Sequence, residues 1–158
     1  MKELSPSEAL NKAAAYCTLC ERCVSEVRAK LTAWDVPSGE QEKIIARLIE
    51  EKFIDEARYC RAFVNDKLRF NRWGRIKINA ALRDKRLPKE YINEALESID
   101  DEKYIEILKE IIAIKHRELK GKEDFATKQK LMRHAASRGF EPAIIMRTIN
   151  VCCNEMDF

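Results

Sequence analysis

Three cysteines near the N-terminus have a spacing that can bind metal. Cys17, Cys20 and Cys23 are each separated by two residues, and thiolates at this spacing ligate zinc or iron–sulfur clusters. A fourth ligand would have to come from a distant cysteine or histidine. On a helix, Cys17 instead shares an apolar face with Leu10 and Ala13. We interpret Cys17 as a core residue, assign no role to the other two thiols at the helix end, and expect no metal. Bound zinc or visible absorbance would contradict this interpretation.

Residue types that usually catalyse reactions show no recognisable arrangement. His116 and His134 are the only histidines, and both lie in basic helical sequence. We find no glycine-rich phosphate loop, nucleophile elbow or metal-binding histidine pair. Most carboxylates lie in first helical turns or on helix faces, where capping explains them. We therefore expect neither enzymatic activity nor a cofactor.

A basic stretch in the middle of the chain is the strongest functional signal. Residues 58–86 contain ten cations and two carboxylates, a net charge of +8, whereas the whole chain carries +3. Seven of the ten cations are arginines, whose planar guanidinium suits paired contacts with phosphate or carboxylate. Such a stretch attracts nucleic acid or an acidic protein surface. The ten cations, called the basic segment below, are Arg58, Arg61, Lys67, Arg69, Arg72, Arg75, Lys77, Arg83, Lys85 and Arg86.

Two aromatic residues lie among these charges. Phe70 and Trp73 could stack on nucleic-acid bases. An aromatic at a helix junction more often anchors the core, and we favour that role for Trp73. The alternative for the basic segment as a whole is a solvated helix face without a partner.

Helices are predicted throughout the chain. Only four Gly and four Pro occur, with 46% hydrophobic and 36% charged residues, and no stretch alternates as a strand would. Ser5 followed by Pro6 and Glu8 predicts a capped helix start. Further starts are predicted at Ser25, at Ser38 with Gln41 as a capping pair, at Asp55, and at Asp100 or Asp101. The predicted buried positions of the third and fourth helices are Ile44, Ile45, Leu48, Ile49, Cys60, Phe63, Val64 and Leu68.

The helices form a weak repeat. Five apolar positions recur at an offset of 51: Val27, Leu31, Val36, Ile45 and Leu48 correspond to Ile78, Leu82, Leu87, Leu96 and Ile99. A further offset of 53 leads to Leu131, Phe140 and Ile149. One helix cannot bury its apolar stripe alone, so three pack together and neighbouring triplets stack. We predict an all-α fold of about nine helices in three tandem three-helix repeats, forming an elongated, curved array. The predicted bounds are 5–53, 54–99 and 100–150, with a frayed tail at 151–158; the alternative is one irregular bundle.

Membrane insertion is not expected. The most apolar window, residues 104–114, contains Glu106, Lys109 and Glu110 and is too short to span a bilayer. No apolar segment follows the first residues as in a secretory signal. We expect a cytoplasmic protein whose six cysteines are thiols.

The middle of the chain resembles the RecX family. The shared motif is an acidic start, an Arg followed by an aromatic, an Ala-Phe-Val core and a Gly that opens the next helix. Here these residues are Asp55, Glu56, Arg58, Tyr59, Ala62, Phe63, Val64 and Gly74. Family members often carry Gly before the apolar turn residue; only Gly139 keeps it, and Asp35 and Arg86 replace it elsewhere. The N-terminal cysteines are also outside the family pattern.

The resemblance implies a regulator of the RecA recombinase. Family members are modular helical proteins that lie in the groove of the RecA–DNA filament and limit filament growth, ATP hydrolysis and strand exchange. The expected processes are DNA repair, recombination and the SOS response. The expected partner is the RecA filament, and the expected effect is its inhibition by a monomer whose basic segment contacts acidic recombinase surface or DNA. Some members bind DNA alone, so a stand-alone module for single- or double-stranded nucleic acid is the second hypothesis. A passive scaffold for another protein is the third.

Overall fold

The computed structural model describes residues 3–156, with side chains to residue 151. Nine α-helices and one π-helical turn form this part of the chain, which contains no strand. The all-α prediction is therefore confirmed. The helices are α1 (Pro6–Leu19), α2 (Val24–Ala33), α3 (Ser38–Glu50), α4 (Glu56–Asp66), α5 (Arg75–Asp84), α6 (Lys89–Glu97), α7 (Asp101–Glu118), α8 (Phe125–Ser137) and α9 (Pro142–Met156), with the π turn at Lys67–Asn71 between α4 and α5.

Side-chain caps open several helices at the predicted residues. Ser5, Asp55 and Asp100 each accept a hydrogen bond from a backbone N–H two or three residues later, at 3.1, 3.0 and 3.0 Å. Such a bond satisfies one of the donors that a helix N-terminus leaves without an intrahelical partner. The starts of α1, α4 and α7 were therefore readable from local sequence.

The predicted capping pair of Ser38 and Gln41 is wrong. Pro37 occupies the N-cap of α3, and no side chain caps this helix end. Gln41 is buried, and its Nε2 donates to the carbonyl of Val36 at 2.8 Å and to Thr32 Oγ1 at 3.2 Å. The amide thus braces the turn before α3, because a buried polar group must find partners wherever the fold offers them.

The predicted repeat is visible in three equivalent turns. Val36, Leu87 and Phe140 are buried, and their N–H groups donate to the carbonyl five residues earlier, at 3.0, 3.4 and 3.4 Å. This bond closes a helix C-terminus when the preceding residue is left-handed. The left-handed residues are Asp35, Arg86 and Gly139, with φ of 58°, 59° and 94°. The backbone conformation repeats even where the glycine does not.

The chain forms two compact units. The first unit comprises residues up to Phe63 together with Leu82–Ala95, and the second comprises Val64–Ala81 together with the chain from Leu96 onward. Helices α1, α2 and α3 pack on one another in the first unit, and α7, α8 and α9 do so in the second. The predicted boundaries at 53/54 and 99/100 stay predictions. Helix α9 extends to Met156, and residues 157–158 lie outside the described part. The predicted fraying of residues 151–158 also stays a prediction.

Of the eight buried positions predicted in the third and fourth helices, six are buried and two are not. Ile49 is 48% exposed, so the buried stripe of α3 ends at Leu48. Phe63 is half-buried and stacks on Tyr59 with 5.9 Å between ring centroids, while Tyr59 itself is only 5% exposed. The first-unit core consists of Ala9, Ala13, Cys17, Val27, Leu31, Val36, Ile44, Ile45, Leu48 and Ile54.

Two glycines bring backbones into direct contact in the second unit. The N–H of Gly74 donates to the carbonyl of Arg138 at 2.7 Å, and the N–H of Ile76 donates to that of Gly139 at 3.0 Å. A Cβ at Gly74 would overlap the backbone of Gly139, and a Cβ at Gly139 would overlap Lys77. Any side chain here would separate the start of α5 from the α8–α9 turn.

Candidate binding surface

The first unit contains half of the basic segment, and its members differ in how they are paired. Arg58 Nε donates to Glu21 Oε1 at 2.6 Å, and its guanidinium also reaches the carbonyl of Lys52. The ammonium of Lys85 lies 3.5 Å from Glu26 Oε2. By contrast, Arg61, Arg83 and Arg86 are exposed, and the ion pairs of the described residues do not include them. Three of these five cations are therefore available to a partner.

An open groove of about 870 Å³ borders two of these cations, Lys85 and Arg86, in the first unit. One wall is a face of α2, and the other includes the end of α5 with the turn that follows it. The lining residues are Val24, Ser25, Arg28, Ala29, Thr32, Glu56, Asp84, Lys85 and Arg86. The lining mixes both signs of charge, and Arg28 is already ion-paired with Glu42. The groove is thus polar and wet, without a closed cavity that would enclose a small molecule.

In the second unit, Arg75 is part of the packing. Its guanidinium donates to Glu141 Oε2 and to Asp101 Oδ1, both at 2.9 Å, and lies 4.0 Å from the centre of the Tyr104 ring. The N–H of Arg75 donates to Tyr104 Oη at 3.0 Å, and that hydroxyl donates to Glu141. Burial raises the pKa of Tyr104, and its hydrogen bond to Glu141 raises it further. The network joins α5, α7 and the start of α9.

Arg72 is also paired within the chain. Its guanidinium lies 3.3 Å from Glu110, and its backbone is left-handed with φ of 56°. Four members of the basic segment thus form ion pairs with carboxylates of the same unit. The linear charge of +8 overstates what a partner would meet, because those carboxylates come from distant parts of the sequence.

Trp73 lies between two cations. The ammonium groups of Lys67 and Lys77 lie 4.9 and 4.7 Å from the centre of its ring. The indole is half-buried, so the favoured role of Trp73 as a core anchor describes only part of its surroundings. Cations are held over the negative face of an aromatic ring without loss of their charge.

Phe70 projects from the π turn. Its side chain is 76% exposed, and the guanidinium carbon of Arg69 lies 5.8 Å from its ring centre. The neighbouring side chains of Arg69 and Asn71 are exposed as well. Sequence reasoning recognised the aromatic but not the π turn, which adds a residue to the helical turn and so directs the ring outward.

Arg138 is a cation that sequence reasoning missed. Its guanidinium donates to the carbonyl of Asn71, the last residue of the π turn. It lies 52 residues beyond the end of the basic segment, so no local charge pattern could have connected the two. With the bond between Gly74 and the Arg138 carbonyl, it attaches the turn to the α8–α9 region.

Cys23 has a structural role that was not expected. It is completely buried and is the N-cap of α2, which begins at Val24 and not at Ser25. Its N–H donates to Glu26 Oε1 at 3.2 Å, and its thiol donates to the same oxygen at 3.4 Å. Burial raises the pKa of the Cys23 thiol and raises that of the Cys60 thiol to about 11. Cys17 is in the first-unit core, as predicted.

No group of three or more His, Cys, Asp or Glu side chains in the described residues is arranged to hold a metal ion. No helix in the same part of the chain combines the length and apolar character needed to span a bilayer.

The equivalent turns at Val36, Leu87 and Phe140, together with the cation-bearing helices in the middle of the chain, define a helical-repeat protein. The family model of the second three-helix domain of RecX matches residues 55–96, and that of the third matches residues 101–149. Together they cover more than half of the chain, which therefore belongs to the RecX family, a family of regulatory proteins.

Relatives and solved structures agree with this assignment. Regulatory protein RecX of Prosthecochloris aestuarii is 29% identical over 95% of this chain and 97% of its own length. Regulatory protein RecX of Clostridium beijerinckii is 31% identical over 78% of this chain and 58% of its own length. The chain spans about half the length of the Lactobacillus johnsonii protein, which is 29% identical. The crystal structure of RecX from Lactobacillus salivarius has the same fold, with a TM-score of 0.83 at 21% identity over 92% of this chain and 94% of that one.

Proposed function

We propose that this protein binds the RecA–DNA filament and restrains the recombinase, without catalysing a reaction of its own. Membership of the RecX family is the observation that carries the proposal. The structure supports it with three exposed arginines in the first unit, Arg61, Arg83 and Arg86. Such a regulator would act in the cytoplasm, where the recombinase and the chromosome are, and would influence DNA repair and recombination.

The exposed arginines suit the task of reaching a filament. Arginine pairs with carboxylate and phosphate in a planar, two-point geometry. A filament of recombinase on DNA offers both groups. Arg58 and Lys85 serve this proposal less well than the sequence suggested, because Glu21 and Glu26 already pair with them.

The rate of RecA ATP hydrolysis on single-stranded DNA tests the proposal. Adding the full chain at increasing ratios to RecA should lower this rate. Reversing the charge of Arg61, Arg83 and Arg86 to Glu should weaken the effect, because attraction to the filament becomes repulsion. The matched control reverses three exposed cations outside the basic segment, Lys103, Lys109 and Arg133. An unchanged ATPase rate at stoichiometric excess of the wild-type chain would contradict the proposal.

A further inference from the structure

The π turn of the second unit presents an aromatic ring to solvent. Phe70 is 76% exposed, so the face of its ring is open to a ligand. The exposed side chains next to it in sequence, Arg69 and Asn71, are polar. A single exposed ring between polar sequence neighbours is a poor match for the broad apolar contact of a protein partner.

The charges around the ring all have one sign in the local sequence. Residues 67–77 contain five cations and no carboxylate. Arg72 and Arg75 are neutralised by distant carboxylates of the same unit. Arg69 lies beside the Phe70 ring, and the ammonium of Lys77 lies over the Trp73 ring, which holds it without cancelling its charge. An anion approaching this turn therefore meets the positive charge of Arg69 beside the Phe70 ring and that of Lys77 over the Trp73 ring.

The turn is held in place before any ligand arrives. The N–H of Trp73 donates to the carbonyl of Lys67 at 3.1 Å, closing the π turn. Arg138 binds the carbonyl of Asn71, and Arg72 is paired with Glu110. A ring presented by a fixed backbone loses little conformational freedom on binding, so the contact energy is available for affinity.

We propose that this turn is a binding site for single-stranded nucleic acid, in which a base stacks on Phe70 and the flanking phosphates contact Arg69 and Lys77. Every base has an exposed face in a single strand, so stacking carries little sequence preference. In a duplex the base faces are covered by their neighbours, so this site favours single strands. The inference is independent of the recombinase proposed above.

Binding of a labelled 20-nucleotide oligothymidylate to the full chain, followed by fluorescence anisotropy without recombinase, tests the site. Phe70→Ala should weaken binding by about tenfold or more, in the range of a lost base–aromatic stack. Phe70→Trp should retain it, because the larger ring also stacks. Phe125→Ala is the matched control, since Phe125 is also 76% exposed and lies in the same unit. It should leave binding unchanged.

Further measurements separate binding of a single strand from binding of a duplex or of the recombinase. Arg69→Gln should weaken binding and lower its dependence on salt, and a duplex of the same length should bind more weakly than the single strand. Wild-type chain that does not bind the oligonucleotide, equal losses for Phe70→Ala and Phe125→Ala, or equal affinity for the duplex would each overturn the inference. If Phe70→Ala binds the oligonucleotide normally but no longer slows RecA, the ring contacts the recombinase and the inference is wrong. If the Phe70→Ala variant no longer binds the oligonucleotide but still slows RecA, the inference is supported independently of the proposed function.

Discussion

At the residue scale, Arg75 shows how formal charge and available charge differ. It was predicted to be a binding residue, but it bridges Asp101 and Glu141 and packs on Tyr104, with its side chain 23% exposed. Its removal would leave the Glu141 carboxylate half-buried without its cation. Reversing its charge would disturb the packing of the second unit as well as any binding. Arg69 and Lys77 are the better positions at which to test contacts.

We predict that Arg75→Ala lowers the free energy of unfolding by about 2 kcal/mol, the typical loss of hydrogen bonds between charged groups. Arg69→Ala, at an exposed position six residues earlier, should change it by less than about 0.5 kcal/mol. Urea denaturation followed by circular dichroism measures both. Equal unfolding midpoints for the two variants would show that the Arg75 network does not stabilise the fold.

Glu26 illustrates a residue whose ionisation is coupled to its fold. Burial alone would raise its pKa, but the hydrogen bond from the Cys23 N–H and the nearby Lys85 ammonium outweigh burial and lower it below its usual 4.5. A carboxyl whose pKa is lowered in the folded state stabilises the fold at pH values above its pKa in the unfolded state. That contribution is lost as the pH falls through the folded value.

Glu26→Gln should therefore be less stable than the wild type at pH 7. The difference should shrink as the pH falls below about 4.5 and vanish once the pH lies well below the lowered pKa of the folded state, where the wild-type carboxyl is protonated too. Urea midpoints at a series of pH values measure this. A difference that stays constant across the series would mean that the carboxylate charge contributes nothing and that only shape matters at this cap.

At the scale of elements, the start of α5 and the α8–α9 turn depend on two glycines for their contact. A methyl group at either position would overlap the opposing segment, and Gly139 also has φ of 94°. Backbone cannot move aside as a flexible side chain can, so the two segments would have to separate. The Gly74 of the family motif thus has a packing reason that its sequence neighbours do not show.

We predict that Gly74→Ala and Gly139→Ala each destabilise the protein by at least about 2 kcal/mol, as overpacked sites do. Gly39→Ala is the control. Gly39 lies in the first turn of α3 with open space around it, and alanine there should be neutral or stabilising by up to about 1 kcal/mol. Thermal melts rank the three. A Gly74→Ala protein as stable as Gly39→Ala would show that the close contact does not exist in solution.

At the scale of the whole molecule, the basic segment is divided by the fold. Five of its cations are in the first unit and five in the second, because the boundaries between the units fall within α4 and α5. Two cations in each unit are used by internal ion pairs. The ten residues of one sequence stretch are therefore not equivalent, and a common surface for all of them stays a prediction.

The dependence of single-stranded DNA binding on salt concentration would show how many cations contact phosphates. Ten phosphate contacts would give a slope of log affinity against log salt near −7, whereas a slope of about −4 or shallower is expected if the four cations in internal ion pairs take no part. Anisotropy titrations over a range of salt concentrations measure the slope with wild-type chain. A slope near −7 would mean that the internal ion pairs open when DNA binds.

The sequence by itself determined the helices, the caps of α1, α4 and α7, and the repeat. These depend on neighbours within a turn or two: Ser5 and Asp55 cap their own helices, and the apolar spacing of Val36, Leu87 and Phe140 marks equivalent turns. The left-handed residue before each turn lies where family members often carry glycine, a position that Asp35 and Arg86 occupy here.

Only the tertiary structure decided which charges and rings face solvent. Glu110 and Glu141 neutralise arginines 38 and 66 residues away, and a π turn that no local pattern announced directs Phe70 outward. The physical reason is that an ion pair or a close backbone contact depends on distance in space, whereas sequence patterns report only neighbours along the chain. Helix formation is largely local and was predictable; the partners of each side chain follow from packing and were not.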